Sequence, residues 1–176
     1  MQASPAFTIS GTGASVPNLV VSNEELAASF GNTDITAEWI EARTGICSRR
    51  WVSEDQATSD LAAAAATAAL TNAGLDAHDI DLVIVATSTP DWPQPHTAAR
   101  VHGLLGMRST AGAFDVDAVC SGWVHALHTA GSQLASTPTW NHVLVVGADA
   151  YSRMMNPSDH RTRILFGDGA GAVVIS

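Results

Sequence analysis

The chain has 176 residues, of which 46% are hydrophobic and 14% charged, a composition that predicts a globular core and excludes a disordered chain. The formal net charge of −9 argues against nucleic acid or an anionic membrane as a partner, because both require clustered lysine and arginine. The longest apolar stretch is interrupted by Thr67, and the start of the chain has no signal-peptide pattern. We therefore expect a cytoplasmic protein without a membrane span.

The first elements in chain order are a strand and a helix. Phe7–Ser10 is predicted as a short strand, which a tight turn at Gly11–Gly13 closes. Ser22 and Glu25 have the spacing of a capping box, which predicts the start of a helix that ends near Phe30.

Strands and helices continue to alternate along the rest of the chain. Leu82–Ala86 and Val143–Val146 are continuous apolar runs, which are typical of strands covered on both faces. The other predicted elements are a helix from Thr36 to Gly45, helices over Ser59–Ala73, Thr97–Leu105 and Ser121–Ala135, and strands over Ala113–Val116 and Gly171–Ile175. This alternation predicts a layered α/β domain over residues 1–176. Because a buried strand ends the sequence, we expect the natural protein to continue beyond Ser176.

Cys120 is the residue that most strongly suggests chemistry. A predicted strand ends at Val116, a tight turn follows, and Cys120 stands where the next helix begins. A thiol there faces unpaired backbone N–H groups and the positive end of the helix dipole, which both favour the thiolate. Such a thiolate is suited to attack a thioester. The alternative is a small buried cysteine that only fills space.

Other motifs give weaker signals. Gly11–Gly13 and Phe166–Gly171 are interpreted as tight turns and not as nucleotide loops, because neither leads into a helix at the required spacing. No metal-binding spacing of histidine and cysteine occurs, so we expect no metal. His125 and His128 follow Cys120 on a predicted helix and are assigned to packing or to the surface.

Arginine and tryptophan form a second candidate region. Trp39 and Arg43 lie one helical turn apart, so Trp39 could pack under the Arg43 stem, or the two could grip an adenine ring or a phosphate. Two groups of arginines are close in sequence and could form basic patches. They are Arg43, Arg49 and Arg50, and Arg153, Arg161 and Arg163.

Five separated stretches resemble the beta-ketoacyl-acyl carrier protein synthase III family in order and spacing, and together they cover essentially the whole chain. The stretches are Ile9–Gly13 with Pro17, Glu38–Ile46, Val85–Pro90, Phe114–Gly122 and Phe166–Ala172. The resemblance implies the N-terminal half of a thiolase-like, layered α-β-α enzyme with a central mixed sheet covered by helices. It also implies a homodimer formed through this half.

The resemblance implies an activity as well. A family member takes an acyl group from acyl-CoA onto a cysteine, here Cys120, and condenses it with malonyl-carrier protein by decarboxylative Claisen chemistry. The other half supplies a histidine and an asparagine for the decarboxylation. No cofactor is implied besides the acyl-CoA substrate, and acyl carrier protein is implied as a partner in fatty acid or polyketide biosynthesis.

Three further residues correspond to substrate contacts in the family, and a fourth is assigned to one. Trp39 and Arg43 match the pair that contacts the coenzyme A head group, and Phe166 matches a phenylalanine beside the nucleophile. His160 stands where many members have an arginine that helps hold the coenzyme, and the nearby Arg161 is assigned to coenzyme binding instead.

Two alternatives to condensation are open. The same cysteine could pass its acyl group to an oxygen or nitrogen acceptor, or the chain could be a non-catalytic dimer partner. Subunits of the second kind tend to lose the nucleophile, and Cys120 is present.

Overall fold

The computed structural model describes residues 7–31 and 34–176, and the chain divides into two compact units. The larger unit is formed by residues 7–15 together with Ala57–Asp149 and Ala170–Ser176. The smaller unit is formed by Val16–Gln56 and Ala150–Gly169. The single domain over residues 1–176 stays a prediction.

Within the described residues, strands and helices alternate as the sequence predicts. The strands are β1 (Ile9–Ser15), β2 (Leu19–Ser22), β3 (Ser48–Trp51), β4 (Leu82–Ala86), β5 (Gly112–Val116), β6 (Val143–Asp149) and β7 (Gly169–Ile175). The α-helices are α1 (Asn23–Ser29), α2 (Ala37–Thr44), α3 (Thr58–Ala73), α4 (Thr97–Leu105), α5 (Gly122–Ser136) and α6 (His160–Arg163). None of the helices in the described ranges is long and apolar enough to cross a membrane.

Five strands form one mixed sheet in the order β1-β7-β6-β4-β5. Strand β4 runs parallel to both β5 and β6, whereas β1 is antiparallel to β7. Because side chains alternate between the two faces of a strand, β4 contributes to two cores. Val83 and Val85 pack with residues of α3 and α4, and Ile84 packs with residues of α5. The predicted mixed sheet with helices on both faces is confirmed.

The turn predicted at Gly11–Gly13 is wrong, because both glycines lie inside β1. Helix α3 crosses this strand at very short range. A Cβ added to Gly11 would lie 2.3 Å from the carbonyl oxygen of Ala69, and one added to Gly13 would lie 2.2 Å from that of Ala65. The glycines therefore allow a helix backbone to contact a strand backbone.

Helix ends agree with the sequence signals. Ser22 accepts a hydrogen bond from the N–H of Glu25, and the Glu25 carboxylate accepts one from the N–H of Ser22, so the capping box that starts α1 is confirmed. Thr36 caps α2, since its hydroxyl accepts a hydrogen bond from the N–H of Trp39. Helix α3 ends at Gly74, whose φ of 68° is the left-handed conformation predicted for it.

In the smaller unit, β2 and β3 pair as an antiparallel ribbon that the sequence did not predict. Arg49 of β3 is 6% exposed, and its guanidinium donates to Asn23 Oδ1 at 2.7 Å. Burial lowers the pKa of Arg49 below its ordinary value. Although Arg49 is close in sequence to Arg43 and Arg50, its side chain is buried and does not contribute to a basic surface.

Candidate active site around Cys120

Cys120 lies between a strand and a helix, as predicted. It belongs to a short 3-10 helix, Val119–Ser121, that follows β5 and leads directly into α5 at Gly122. Cys120 is exposed, so its thiol is not sealed under side chains. No side chain caps the start of α5, and the N–H of Gly122 donates to the carbonyl oxygen of Val119. The positive end of the helix dipole therefore lies beside the thiol and favours a negative charge there.

The thiol stands at the edge of the sheet where the parallel strands end. Ala86 of β4 is in register with Val116 of β5 and with Gly147 of β6, so the carboxyl ends of these three strands lie at the same edge of the sheet. Ligands of open α/β sheets bind at the carboxyl ends of the strands. The position of Cys120 is therefore one where a substrate can reach it.

The backbone before Cys120 has an unusual conformation. Val119 has a φ of 49°, which is uncommon for any residue except glycine and strained for a β-branched one. The Ser121 hydroxyl donates to the carbonyl oxygen of Ala118 at 2.8 Å, and the Ser121 N–H donates to the same oxygen at 3.2 Å. These bonds close the turn around the thiol.

Three polar residues near this turn were not singled out from the sequence. Asp149 ends β6, Ser88 follows β4, and Asp117 follows β5, so they come from three segments of the chain. Hydrogen bonds connect them, with Ser88 N–H donating to Asp149 and the Ser88 hydroxyl donating to Asp117. Only the strand order brings them together, so no local pattern in the sequence could have identified them.

The smaller unit brings Trp39 and Arg43 together. The Arg43 guanidinium carbon lies 4.0 Å from the centroid of the Trp39 ring, which is a cation–π contact. The His160 ring, at the start of α6, makes T-shaped contacts with Trp39 and Phe30, with centroid separations of 6.1 Å in both cases. Arg161 is the next residue of α6, and its side chain is exposed.

Phe166 also belongs to the smaller unit. Its ring stacks on Tyr151 at a centroid distance of 4.8 Å and an angle of 27°, and its carbonyl oxygen accepts a hydrogen bond from Trp51 Nε1. The ring is half-buried. Its predicted place beside the nucleophile stays a prediction, since Cys120 belongs to the larger unit.

Comparisons with known proteins agree in sequence and in fold. A family model for 3-oxoacyl-[acyl-carrier-protein] synthase III matches residues 114–176, which include the Cys120 turn. An acetoacetyl CoA synthase, NphT7, of Streptomyces sp. (strain CL190) is 54% identical over 171 residues, which are 96% of this chain and 50% of that protein. The chain belongs to the beta-ketoacyl-acyl carrier protein synthase III family.

Two solved structures match the chain in fold. The 3-oxoacyl-(acyl carrier protein) synthase III of Pseudomonas aeruginosa PAO1 matches with a TM-score of 0.86 and 41% identity, over 97% of this chain and 51% of that one. The priming beta-ketosynthase of the R1128 polyketide pathway matches with a TM-score of 0.89 and 36% identity, over 100% of this chain and 51% of that one. The fold is therefore thiolase-like, and the chain spans about half the length of the synthase III relatives it matches.

Membership in the synthase III family does not by itself assign roles to residues of this chain. The roles of Cys120 as nucleophile and of Trp39, Arg43, Arg161 and Phe166 as substrate contacts stay predictions. His125 and His128 are exposed on α5, in keeping with the surface assignment. Across residues 7–31 and 34–176, no three histidine, cysteine, aspartate or glutamate side chains form a group that could hold a metal ion.

The second cysteine, Cys47, has a different environment. Its thiol lies 3.6 Å from Glu41 Oε1, and it is exposed. The Glu41 carboxylate raises the pKa of Cys47 above its ordinary value, mainly through its negative charge and further through this hydrogen bond. Because the thiolate is the reactive form, Cys47 is a poor nucleophile at neutral pH.

This environment predicts the effect of Glu41→Gln. Removal of the charge lowers the pKa of Cys47, so more thiolate is present at pH 8 and alkylation of Cys47 by iodoacetamide becomes severalfold faster. Peptide mass spectrometry after timed quenching measures the rate. Glu38→Gln on the same helix is the control and leaves the rate unchanged. A Cys47 rate that does not rise in Glu41→Gln would contradict the role of the Glu41 charge.

Proposed function

We propose that the chain carries the acyl-accepting half of a condensing enzyme of the synthase III type. Cys120 takes an acyl group from acyl-CoA, and the full-length protein then joins it to malonyl-carrier protein with loss of CO2. The observation that carries this proposal is the exposed thiol of Cys120 at the uncapped start of α5. Membership in the synthase III family supports it.

The first step is transfer of the acyl group between two sulfur atoms. The Cys120 thiolate attacks the thioester carbonyl, the carbonyl oxygen becomes an oxyanion, and the coenzyme A thiolate leaves as the carbonyl re-forms. The positive end of the α5 dipole lies beside the thiol, and backbone N–H groups near the helix start are suited to stabilise this oxyanion. The products are an acyl-cysteine thioester and coenzyme A.

The second step forms a carbon–carbon bond. Malonyl thioester loses CO2, and the carbanion left behind attacks the acyl carbonyl and releases Cys120 as a thiolate. The developing enolate needs neutral hydrogen-bond donors, for which the family resemblance implies a histidine and an asparagine from the other half. Condensation therefore requires the full-length protein, which includes the other half.

A second molecule is a candidate for the acceptor of the acyl group. The relative that is 54% identical is named acetoacetyl CoA synthase, and its product is thus carried on coenzyme A. If this chain shares that product, malonyl-CoA replaces malonyl-carrier protein as the acceptor. Transfer to an oxygen or nitrogen atom is the remaining alternative.

An assay of products distinguishes these acceptors. The full-length protein is incubated with acetyl-CoA and either malonyl-carrier protein or malonyl-CoA, and the products are identified by mass. A 3-ketoacyl thioester, formed with release of CO2, is the expected result, and its carrier identifies the acceptor. An acetylated enzyme that forms no such product with either acceptor would contradict condensation.

We assign the coenzyme A head group to the surface formed by Trp39, Arg43 and Arg161. The Arg43 guanidinium stacks on Trp39 and remains exposed, so it offers both a flat face and a charge. A flat cation is suited to an adenine ring, and a guanidinium binds phosphate through paired hydrogen bonds. Arg161 adds a second exposed positive charge in the same unit. We assign Phe166 to the wall of the acyl and malonyl pocket.

Arg43→Ala tests this assignment. Loss of hydrogen bonds to a charged phosphate is expected to raise the KM for acetyl-CoA by about tenfold or more. The KM for the acetyl thioester of N-acetylcysteamine, which has no nucleotide, should stay the same. Steady-state kinetics with both donors measures the difference, and the small thioester is the control. An equal loss with both donors would mean that Arg43 has a structural role.

Three further features of the full-length protein are part of the proposal. A homodimer is supported by β1 and β5, which are the edge strands of the sheet among the described residues, because such an edge can pair with a second copy. Acyl carrier protein is the second protein partner. A cytoplasmic location is supported by two exposed free cysteines, which are typical of a reducing compartment.

A further inference from the structure

The segment after β4 is held firmly by Asp149. Asp149 Oδ1 accepts a hydrogen bond from the Ser88 N–H at 2.9 Å. It also accepts one from the Thr87 hydroxyl at 3.3 Å and one from the Thr89 hydroxyl at 3.1 Å. Thr87 and Thr89 are buried. The position of Ser88 is therefore set by bonds that water cannot easily replace.

Ser88 in turn reaches the turn that carries the thiol. Its hydroxyl donates to Asp117 Oδ1 at 3.1 Å, and the same Oδ1 lies 3.5 Å from the backbone nitrogen of Val119. A chain of polar contacts thus runs from β6, through the segment after β4, to the residue immediately before Cys120. All of these residues belong to the larger unit.

Val119 requires such support because its backbone is strained. Its φ is 49°, and its side chain is 63% exposed, so packing of the valine side chain contributes little to holding this conformation. Without external ties, a β-branched residue is expected to return to a negative φ. That change would rotate the peptide that leads to Cys120.

We propose that Asp117 and Ser88 are positioning residues for the Cys120 thiol. Their mutual hydrogen bond, anchored by Asp149, holds Val119 in the left-handed conformation and keeps the sulfur at the start of α5. Neither side chain has to touch the substrate. The kinetic consequence rests on the proposed function, whereas the structural consequence does not.

Crystal structures of Asp117→Ala, Asp117→Asn and Ser88→Ala in the full-length protein test the structural consequence. In Asp117→Ala and Ser88→Ala we expect a negative φ at Val119 and a displaced Cys120. In Asp117→Asn the amide oxygen still accepts from Ser88, so the parent geometry is retained. A positive φ at Val119 with an unmoved thiol in Asp117→Ala would overturn the proposal.

The rate of acetyl transfer from acetyl-CoA tests the kinetic consequence. Asp117→Ala and Ser88→Ala are each expected to lower kcat by about tenfold or more, because a small misplacement of a reacting atom is costly. KM should be unchanged, and the double variant should be no slower than either single variant, since both remove the same contact. Asp117→Asn restores the rate. Ser136→Ala, which removes a hydroxyl at the other end of α5, is the control and has no effect.

Two results would contradict this kinetic role. One is additive losses in the double variant, and the other is an Asp117→Asn rate as low as that of Asp117→Ala. If the parent protein accepts no acetyl group at all, the proposed function fails, and the crystal structures still decide the positioning.

A glycine at position 119 provides an independent check of the strain. Glycine adopts a positive φ without cost, so the tie to Asp117 matters less in a Val119→Gly background. We expect Asp117→Ala to lower kcat clearly less there than in the parent. A loss of the same size in both backgrounds would mean that Asp117 does not act through the Val119 conformation.

Discussion

Cys120→Ala in the full-length protein is expected to lower acyl transfer from acyl-CoA by about four orders of magnitude or more, since removal of a nucleophile eliminates the covalent route. The structure shows why no neighbour should replace it. The Glu41 carboxylate raises the pKa of Cys47, the second cysteine, so less of its reactive thiolate is present. Stopped-flow measurement of coenzyme A release in a single turnover gives the rate.

Cys47→Ala is the matched control for this variant. It removes the other cysteine, which is also exposed, and should leave the rate of coenzyme A release unchanged. The melting temperature of both variants should be close to that of the parent, because both thiols are exposed. If Cys47→Ala were the inactive variant, or if Cys120→Ala kept most of its rate, Cys120 would not be the nucleophile.

Gly13→Ala is expected to lower the free energy of unfolding by about 3 kcal/mol or more, at the upper end of the range for overpacked sites. The added Cβ would lie 2.2 Å from the Ala65 carbonyl oxygen and 2.3 Å from the Ala69 nitrogen. Both atoms are backbone, so no side chain can turn aside. Strand β1 and helix α3 would have to separate, and the core between them would lose contacts.

Urea unfolding followed by circular dichroism measures this loss. Gly103→Ala is the control, because a Cβ there meets nothing within 4 Å and the residue lies inside α4. An alanine in a helix is more stable than a glycine by up to about 1 kcal/mol, so Gly103→Ala should be neutral or stabilising. Equal stability of Gly13→Ala and the parent protein would mean that α3 does not lie against β1 as the structure has it.

The elements predicted best are those whose signal lies within one segment. Leu82–Ala86 was predicted as a strand covered on both faces from its apolar run, and β4 has these bounds with every residue buried. The alanine-rich helix, the Ser22 capping box and the left-handed Gly74 are also local signals. The position of Cys120 between a strand and a helix could also be predicted, because it is determined by the pattern of the residues around it.

The features that were missed depend on contacts between distant segments. Gly11 and Gly13 look like turn residues by themselves, and only the crossing of α3 explains them as part of a strand. Strands β2 and β3 have four residues each and no clear alternation of polar and apolar side chains, so neither strand can be recognised from its own sequence. The burial of Arg49 follows from acceptors on other segments, among them the carbonyl oxygen of Ile164.

The candidate site shows the same limit. The thiol and the Trp39–Arg43 pair could be recognised within their own motifs. The hydrogen bonds that connect Asp149, Ser88 and Asp117 could not be predicted, because these residues are neighbours only through the strand order β6-β4-β5.

Locating the acyl group on the protein tests the central claim most directly. The full-length protein is mixed with acetyl-CoA in the absence of malonyl thioesters, quenched in acid, digested and analysed by tandem mass spectrometry. We predict a single acetyl group on the sulfur of Cys120, seen as a mass increase of about 42 Da, and none on Cys47. An acetyl group on any other residue, or an unmodified Cys120 in a protein that still transfers acetyl groups, would contradict the account.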